Sequence, residues 1–180
     1  FRDGQAAIVT AVAEGRDTLA IMPTGGGKSL CFQLPALMRE GLTVVISPLI
    51  ALMRDQVRSL EEAGVSAGAL TSANTEEENS QIFAKISEGD LKLLYMAPER
   101  LAAGGTTRLL QRAGVSLIAV DEAHCVSQWG HDFRPDYLRI GALRQSLGVP
   151  LAAFTATADA ETRDEIVTRL LAGTPPEMFL

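Results

Sequence analysis

The stretch Thr18-Leu-Ala-Ile-Met-Pro-Thr-Gly-Gly-Gly-Lys-Ser29 decides the fold of this chain. Its apolar beginning, residues 18–22, predicts a buried strand, and residues 28–39 predict a helix behind it. The three glycines between them let successive backbone N–H groups turn towards an anion, and the N-terminus of the helix adds a partial positive charge. The pattern therefore predicts a phosphate-binding loop, although Met22 stands where the usual template has its first glycine.

This loop predicts a site for a nucleotide with Mg²⁺. Lys28 can neutralise the β- and γ-phosphates, and the Ser29 hydroxyl can ligate Mg²⁺. The alternative is an ordinary glycine-rich turn between a strand and a helix, in which Lys28 and Ser29 occur by chance and bind neither phosphate nor Mg²⁺. The residues whose backbone would surround the phosphates are Thr24, Gly25, Gly26 and Gly27.

A second motif, Leu117-Ile-Ala-Val-Asp-Glu-Ala-His124, is an apolar run that ends in two carboxylates. A phosphate-binding loop needs a further anchor for Mg²⁺, and Asp121 at the end of a buried strand fits that role, reaching the metal through water. Glu122 is then placed to activate the attacking water as a general base, and His124 can bond neighbouring groups as the phosphate state changes. A surface turn is the alternative for an isolated Asp-Glu pair, but the phosphate loop upstream favours the catalytic interpretation.

Short apolar runs alternate with helical patterns along the whole chain. This alternation predicts an α/β fold of three layers, with a mostly parallel sheet covered by helices on both faces and ligands at the carboxyl ends of the strands. A glycine follows five of the helices as a stop signal, and Pro35 should bend the second helix. The predicted strands are 18–22, 43–47, 67–70, 92–96, 117–121 and 151–155, and the predicted helices are 5–14, 28–39, 49–63, 75–88, 106–113, 136–145 and 159–171.

Composition excludes several other classes of protein. The 180 residues are 47% hydrophobic, which argues against disorder, and they carry no apolar run long enough to span a membrane. The net charge of −6 argues against a chain that coats nucleic acid by bulk positive charge, but it leaves room for a local basic strip. Two cysteines, Cys31 and Cys125, form no disulfide framework, so a reducing intracellular setting is expected.

Together, the motifs resemble those of superfamily 2 helicases, and one further stretch narrows the resemblance to the RecQ DNA helicases. This stretch, Cys125-Val-Ser-Gln-Trp-Gly-His-Asp-Phe-Arg-Pro-Asp-Tyr137, is similar to the aromatic-rich loop that follows the DEAH motif in that family, and we call it the aromatic loop. Other matching stretches are Phe1-Arg-Asp-Gly-Gln5 (motif 0), Ser29-Leu-Cys-Phe-Gln-Leu-Pro-Ala36, Ser47-Pro-Leu-Ile-Ala-Leu-Met-Arg-Asp-Gln56 (motif Ia), Tyr95-Met-Ala-Pro-Glu-Arg-Leu101 (motif Ib) and Phe154-Thr-Ala-Thr-Ala158 (motif III). The resemblance covers nearly the whole chain and implies the first, N-terminal RecA-like lobe of such a helicase.

The resemblance implies roles for residues that the first two motifs leave unassigned. Gln5 would hydrogen-bond the edge of adenine and Arg2 would stack on its face, while the alternative for Gln5 is a polar residue at a helix start. The aromatic loop would sense single-stranded DNA and couple it to ATP hydrolysis. Its members with that role would be Gln128, Trp129 and Phe133, with Arg134 taking a phosphate or a base.

Motifs Ia, Ib and III would complete the DNA side. Ser47 would bind the DNA backbone, as would Arg54, Arg58 and Arg100 unless they are simply solvated. The hydroxyls of Thr155 and Thr157 would link the two carboxylates to the DNA, or else the Thr-Ala-Thr segment caps the following helix. Trp129 and Phe133 could alternatively belong to the core.

The resemblance also implies what lies outside these residues. We expect a helicase lobe over 1–174, the start of a linker over 175–180, and a second RecA-like lobe with an arginine finger elsewhere in a longer protein. Without it, this lobe should bind Mg·ATP weakly and hydrolyse it very slowly.

The resemblance implies 3′-to-5′ unwinding of DNA in repair and recombination, acting on single strands and single/double-strand junctions. No membrane partner is expected, and the location would be the bacterial cytoplasm at the nucleoid or the eukaryotic nucleus. The alternatives are another, RNA-directed superfamily 2 ATPase, a non-catalytic ATP- or DNA-binding module, and, more remotely, a small-molecule kinase.

Overall fold

The computed structural model describes residues 3–23, 27–156 and 159–180. Seven strands form one sheet in the order β3-β4-β2-β5-β6-β1-β7, and every pairing between neighbours is parallel. The strands are β1 (Thr18–Ile21), β2 (Leu42–Ile46), β3 (Ala67–Leu70), β4 (Leu93–Met96), β5 (Val115–Val120), β6 (Leu151–Thr155) and β7 (Glu177–Phe179).

Helices cover both faces of this sheet, as the sequence predicts. The helices are α1 (Asp3–Ala13), α2 (Leu30–Met38), α3 (Ile50–Glu62), α4 (Glu76–Ser87), α5 (Thr106–Arg112), α6 (Ile140–Leu147) and α7 (Ala160–Leu171). Residues of α1, α2 and α3 pack with one face of the strands, and residues of α4 to α7 pack with the other. The predicted three-layer α/β fold is therefore confirmed.

Alternation along the strands divides the core between the two faces. Val44 and Ile118 contribute to the core under α4 to α7, whereas their chain neighbours Val45 and Ala119 contribute to the core under α1 to α3. Both sets of side chains are fully buried. Strands covered on both sides read as continuous apolar runs, which is why six of the seven could be located from the sequence.

The five glycines predicted to stop helices all have a left-handed backbone, with φ between 64° and 86°. Glycine has no Cβ to oppose this conformation, so it ends a helix and turns the chain towards the next strand at little cost. They are Gly41, Gly64, Gly89, Gly114 and Gly148.

Two segments differ from the sequence prediction. Residues 175–180 were expected to begin a linker, but Glu177–Phe179 form the edge strand β7 beside β1. Three residues are too few to show a hydrophobic period, so only their pairing identifies the strand. The helix predicted over 136–145 is instead a 3₁₀ turn over Pro135–Arg139 followed by α6. Among the described residues, no helix is long and apolar enough to cross a membrane.

Candidate functional site

The predicted site residues converge where parallel strands end. The strands β5, β6 and β1 are consecutive in the sheet, so their carboxyl ends and the segments that follow them become neighbours. These regions carry Lys28 after β1, Asp121 and Glu122 after β5, and Thr155 at the end of β6. The order of the strands therefore brings together motifs that lie far apart in the sequence.

Lys28 is the centre of a buried cluster of charges. Its Nζ lies 3.0 Å from Oδ1 of Asp121 and 3.3 Å from Oε1 of Glu122. The side chains of Lys28 and Asp121 are only 10% and 6% exposed, and Glu122 is 20% exposed. Such an arrangement keeps one ammonium and two carboxylates ready in a region of low dielectric, where a phosphate could compete for the ammonium.

Burial and pairing act against each other on the pKa values of this cluster. Burial disfavours the charged form of Lys28, but the adjacent Asp121 and Glu122 carboxylates outweigh it, so the pKa of Lys28 is raised above its ordinary value. Burial also raises the pKa of Asp121, and the ammonium of Lys28 partly offsets that effect. The lysine is therefore fully charged at neutral pH.

The two carboxylates are held by the backbone around them. Glu122 adopts a left-handed conformation, with φ of 52°, and its N–H donates to Oδ1 of Asp121 at 2.9 Å. A non-glycine residue in this conformation marks a strained turn of the kind found at functional sites. The Tyr137 hydroxyl, which is fully buried, donates to the Asp121 carbonyl at 2.8 Å and so ties the aromatic loop to the end of β5.

His124 links the segment that follows β5 to the end of β6. Its Nδ1 lies 2.8 Å from the Thr155 hydroxyl and 3.6 Å from Oε2 of Glu122, while its Nε2 lies 3.4 Å from Oδ2 of Asp132 in the aromatic loop. The imidazole thus touches the general-base candidate, motif III and the aromatic loop at once. This is the position that a residue transmitting the phosphate state would need.

Ser29 has a partner that the sequence analysis did not assign. The Gln56 side chain, on α3, donates to the Ser29 hydroxyl at 3.2 Å. Behind it, Gln33 donates to the buried hydroxyl of Tyr95 at 3.0 Å. Gln56, Gln33 and Tyr95 all lie in quoted motifs, but a motif gives no information on which side chains meet across elements.

Gln5 is buried, and its amide donates to the Gly27 carbonyl at 3.1 Å. A Cβ at Gly27, which has a φ of 78°, would lie 2.2 Å from this amide nitrogen, so glycine is required for the contact. Gln5 therefore lies directly against the phosphate loop, and its assignment to adenine stays a prediction.

The aromatic loop lies on the surface beside this site. Trp129 is 83% exposed, Phe133 is half-buried, and both Gln128 and Arg134 are exposed, so Trp129 is not a core residue. The base of the loop is held by Glu165 of α7, which accepts from the Ser127 hydroxyl at 2.8 Å and from the Gln128 N–H at 3.3 Å.

The other residues predicted to contact DNA have different surroundings from one another. Ser47 is buried, and its hydroxyl accepts from the Leu49 N–H at 3.3 Å, which fixes the turn into α3. Arg54 donates to Asn74 at 3.1 Å, and Arg58 lies 3.5 Å from Asp55 at the surface. The guanidinium of Arg100 lies 5.7 Å from the centre of the Phe83 ring, which favours a packing role. Arg2, Thr24, Gly25, Gly26 and Thr157 lie outside the described residues.

The donor set suits a metal that is shared with phosphates. Among residues 3–23, 27–156 and 159–180, no group of three or more His, Cys, Asp or Glu side chains could hold a metal ion. Mg²⁺ keeps several waters and usually takes only one or two protein oxygens together with substrate phosphates. The Ser29 hydroxyl and the Asp121 carboxylate fit that requirement.

The fold and the site define a nucleotide-binding protein of the phosphate-loop class. A family model described as DEAD/DEAH box helicase matches residues 2–166. The match covers most of the chain, so the chain belongs to the DEAD/DEAH box helicase family.

Named relatives confirm the resemblance to RecQ helicases. The chain is 48% identical over 171 residues to the ATP-dependent DNA helicase RecQ of Haemophilus influenzae, which covers 94% of this chain and 28% of that protein. It is 50% identical over 173 residues to the RecQ protein of Bacillus subtilis, covering 94% of this chain and 29% of that protein. It is 44% identical over 189 residues to the RecQ-like DNA helicase BLM of Xenopus laevis, covering 99% of this chain and 14% of that protein. The chain thus spans less than a third of the length of these relatives.

Solved structures share the fold at lower identity. The helicase domain of Pyrococcus furiosus Hef has a TM-score of 0.71 and 24% identity, over 98% of this chain and 37% of that one. The DUF1998 helicase MrfA bound to DNA and AMPPNP has a TM-score of 0.81 and 17% identity, over 100% of this chain and 27% of that one. At these identities the likeness supports the fold alone.

Proposed function

We propose that this chain is the ATP-binding motor lobe of an ATP-dependent DNA helicase, which couples ATP hydrolysis to 3′-to-5′ translocation on single-stranded DNA and to duplex unwinding in repair and recombination. The observation that carries the proposal is the buried cluster of Lys28, Asp121 and Glu122, placed beside an aromatic loop whose Trp129 is exposed to solvent. The names of the RecQ relatives support DNA as the substrate. The lobe would work where chromosomal DNA is, at the nucleoid or in the nucleus.

On the nucleotide side, binding would exchange the partners of Lys28. The ammonium is held by two carboxylates, and the γ-phosphate would draw it away because a phosphate carries more charge than either carboxylate. Ser29 and Asp121 would hold the Mg²⁺ ion, which supplies neutralisation of charge on the phosphates when it is bound. Glu122, released from Lys28, would accept a proton from the attacking water.

On the DNA side, the exposed aromatic loop would provide the contact. Base stacking on an aromatic ring is worth roughly 1–3 kcal/mol and tolerates any sequence, which suits a translocating enzyme. Asp132 connects this loop to His124, and His124 contacts Glu122. Binding of DNA to the loop would therefore affect Glu122, the proposed general base, through the Asp132–His124 and His124–Glu122 contacts.

We further propose that hydrolysis needs a second RecA-like lobe of the same polypeptide. In phosphoryl transfer an arginine finger accelerates the reaction by roughly 10³–10⁵. The chain covers 28% of the length of the Haemophilus influenzae relative, which leaves ample room there for such a lobe. The 180-residue chain alone should therefore turn ATP over very slowly.

The test is ATP turnover by the polypeptide that carries this lobe, measured without nucleic acid, with single-stranded DNA and with single-stranded RNA. We expect stimulation by DNA well above that by RNA, and loss of the stimulation in Trp129→Ala. Met38→Ala, which removes another exposed apolar side chain from the opposite end of the sheet, is the control and should keep full stimulation.

Polarity is tested with duplexes that carry either a 3′ or a 5′ single-stranded tail, of which only the first should be unwound. Greater stimulation by RNA would favour the RNA-directed alternative, and absence of stimulation by either polymer would leave only a nucleotide-binding module.

A further inference from the structure

Glu165 on α7 makes two contacts to the base of the aromatic loop. One carboxylate oxygen accepts from the Ser127 hydroxyl at 2.8 Å, and the other accepts from the Gln128 backbone N–H at 3.3 Å. These are the two residues directly before Trp129. A charged acceptor that binds two successive residues fixes both the position and the direction of the chain that follows.

The helix that carries Glu165 is a rigid support. Ile166, Leu170 and Leu171 are fully buried against the sheet, and Asp159 caps the helix by accepting from the Thr162 N–H at 2.8 Å. Where α6 crosses α7, a Cβ at Gly141 would lie 2.2 Å from the Arg169 carbonyl, so the two helices approach as closely as a glycine permits. The backbone that carries Glu165 is therefore anchored to the core.

The tip of the aromatic loop, by contrast, borders open space. A cavity of about 590 Å³ lies between it and the first turn of α7, and its lining includes Trp129, Gly130, Glu161 and Thr162. Few packed side chains can hold Trp129 in place there, because its side chain is 83% exposed. The position of the tip depends on polar contacts at its base.

Of two further polar contacts of the loop, one leads back to the segment that follows β5 and the other closes the loop on itself. Asp132 lies 3.4 Å from His124, and the Arg134 N–H donates to the Cys125 carbonyl at 2.9 Å. Neither of these contacts involves α7. Glu165 belongs to neither the loop nor that segment, so it provides a fixed reference against which the loop can be displaced.

We propose that Glu165 is a positioning residue that holds the base of the aromatic loop on α7 and so presents Trp129 to single-stranded DNA. The contact of Trp129 with DNA rests on the function proposed above, whereas the ordering of the loop by Glu165 does not. The carboxylate lowers the cost of DNA binding because the loop is already ordered before DNA arrives. The competing explanation is that Glu165 merely satisfies the buried hydroxyl of Ser127.

The first test uses the 180-residue chain without nucleotide or DNA. Trp129 is its only tryptophan, so time-resolved fluorescence anisotropy reports the motion of this loop directly. In Glu165→Ala we expect a larger nanosecond component and a lower residual anisotropy than in the wild type. Asp164→Asn, an exposed neighbour on α7 with the same change of charge, should leave the anisotropy unchanged.

Glu165→Gln sharpens this test because it keeps the size of the side chain. Its amide oxygen can still accept from Ser127, but its NH₂ group cannot accept from the Gln128 N–H, so the anisotropy should be intermediate. Adding Ser127→Ala to Glu165→Ala should lower the Trp129 anisotropy little further, since Glu165→Ala has already removed the hydrogen bond to Ser127. Unchanged anisotropy in both Glu165 variants, with far-UV circular dichroism like that of the control, would overturn the proposal.

The second test measures coupling in the polypeptide that carries this lobe. The single-stranded DNA concentration for half-maximal stimulation of ATP turnover should rise by at least about tenfold in Glu165→Ala, which removes two hydrogen bonds to a charged acceptor. If anisotropy falls but the half-maximal concentration does not change, Glu165 orders the loop without serving DNA, and the proposal is wrong. If DNA does not stimulate the wild type at all, the proposed function fails, while the anisotropy still decides whether Glu165 holds the loop.

Discussion

The charge cluster around Lys28 and the aromatic loop lie side by side, yet they are held in opposite ways. Lys28, Asp121 and Glu122 are held by strand ends buried on both faces and by contacts to one another. The tip of the aromatic loop borders a cavity, and Trp129 is almost fully exposed. The difference fits the proposed function, in which a fixed centre would carry out the chemistry and a weakly packed segment would respond to DNA.

Two side chains connect these regions and make the contrast useful. His124 touches Glu122 on one side and Asp132 on the other, and Tyr137 binds the Asp121 carbonyl from the far end of the loop. Both contacts run from the loop to the carboxylate segment, and the one made by Tyr137 passes through the core.

Breaking the charge cluster should have the largest effect. In the polypeptide that carries this lobe, Lys28→Ala removes the group that would neutralise the transferred phosphate, and we expect ATP turnover to fall by at least about 10²-fold. Turnover at saturating ATP is the measurement. Lys85→Ala, whose ammonium lies 3.6 Å from Glu61 at the surface, should retain full activity. Turnover within a few-fold of the wild type would show that the cluster is not the chemical centre.

Disturbing the support of the loop should have an intermediate effect. Gly141→Ala places a methyl group against the Arg169 carbonyl and forces α6 and α7 apart, which should lower the free energy of unfolding by about 1–3 kcal/mol. Urea unfolding measures this loss. At Gly4 in α1, none of the described atoms comes within 4 Å of an added Cβ, so Gly4→Ala should be neutral or slightly stabilising.

The same Gly141→Ala chain should show a lower Trp129 anisotropy, because a displaced α7 carries Glu165 with it. If Gly141→Ala destabilises the chain but leaves the Trp129 anisotropy unchanged, α7 does not set the position of the aromatic loop.

The effect that is smallest at neutral pH concerns Tyr95, whose hydroxyl accepts from Gln33 behind the phosphate loop. Burial raises the pKa of Tyr95 from its ordinary 10.0 to about 12, so the folded chain keeps a proton that the unfolded chain begins to release near pH 10. This contribution to stability is complete below pH 10 and is lost as the pH rises through the folded value, with a slope of at most about 1.4 kcal/mol per pH unit. Burial also raises the pKa values of Cys31 and Cys125 to about 11, and it raises the pKa of Tyr137. The pKa of Lys28 is raised because its two carboxylate partners outweigh burial. These groups therefore add to the loss of stability at high pH.

Tyr95→Phe should therefore flatten the fall in stability between pH 10 and pH 12 without abolishing it. Urea unfolding at several pH values in the presence of a reductant measures the slope. An identical slope in the two chains would contradict the assignment of Tyr95 to this loss of stability.

Much of the fold and the centre of the site could be predicted from the sequence. Six strands, the five stop glycines and every helix except the start of the one predicted over 136–145 follow from local patterns, and the structure confirms them within a few residues. That Lys28 and Asp121 lie close together agrees with their predicted roles, since both would serve the same nucleotide, but their ion pair is seen only in the structure. The family followed from the motifs, and the roles of the individual site residues stay predictions.

Other features were decided only by the tertiary structure. The edge strand Glu177–Phe179 exists because β1 offers it an unpaired side, and its own residues show no strand period. The contacts of Gln56 with Ser29, and of Glu165 with the base of the aromatic loop, join elements that are far apart in the chain. The sequence alone determined six of the seven strands, the approximate positions of the helices and the prediction of a phosphate-binding loop, because those depend on neighbouring residues. The structure decided which side chains meet, because that depends on the order of strands in the sheet, and no local pattern records it.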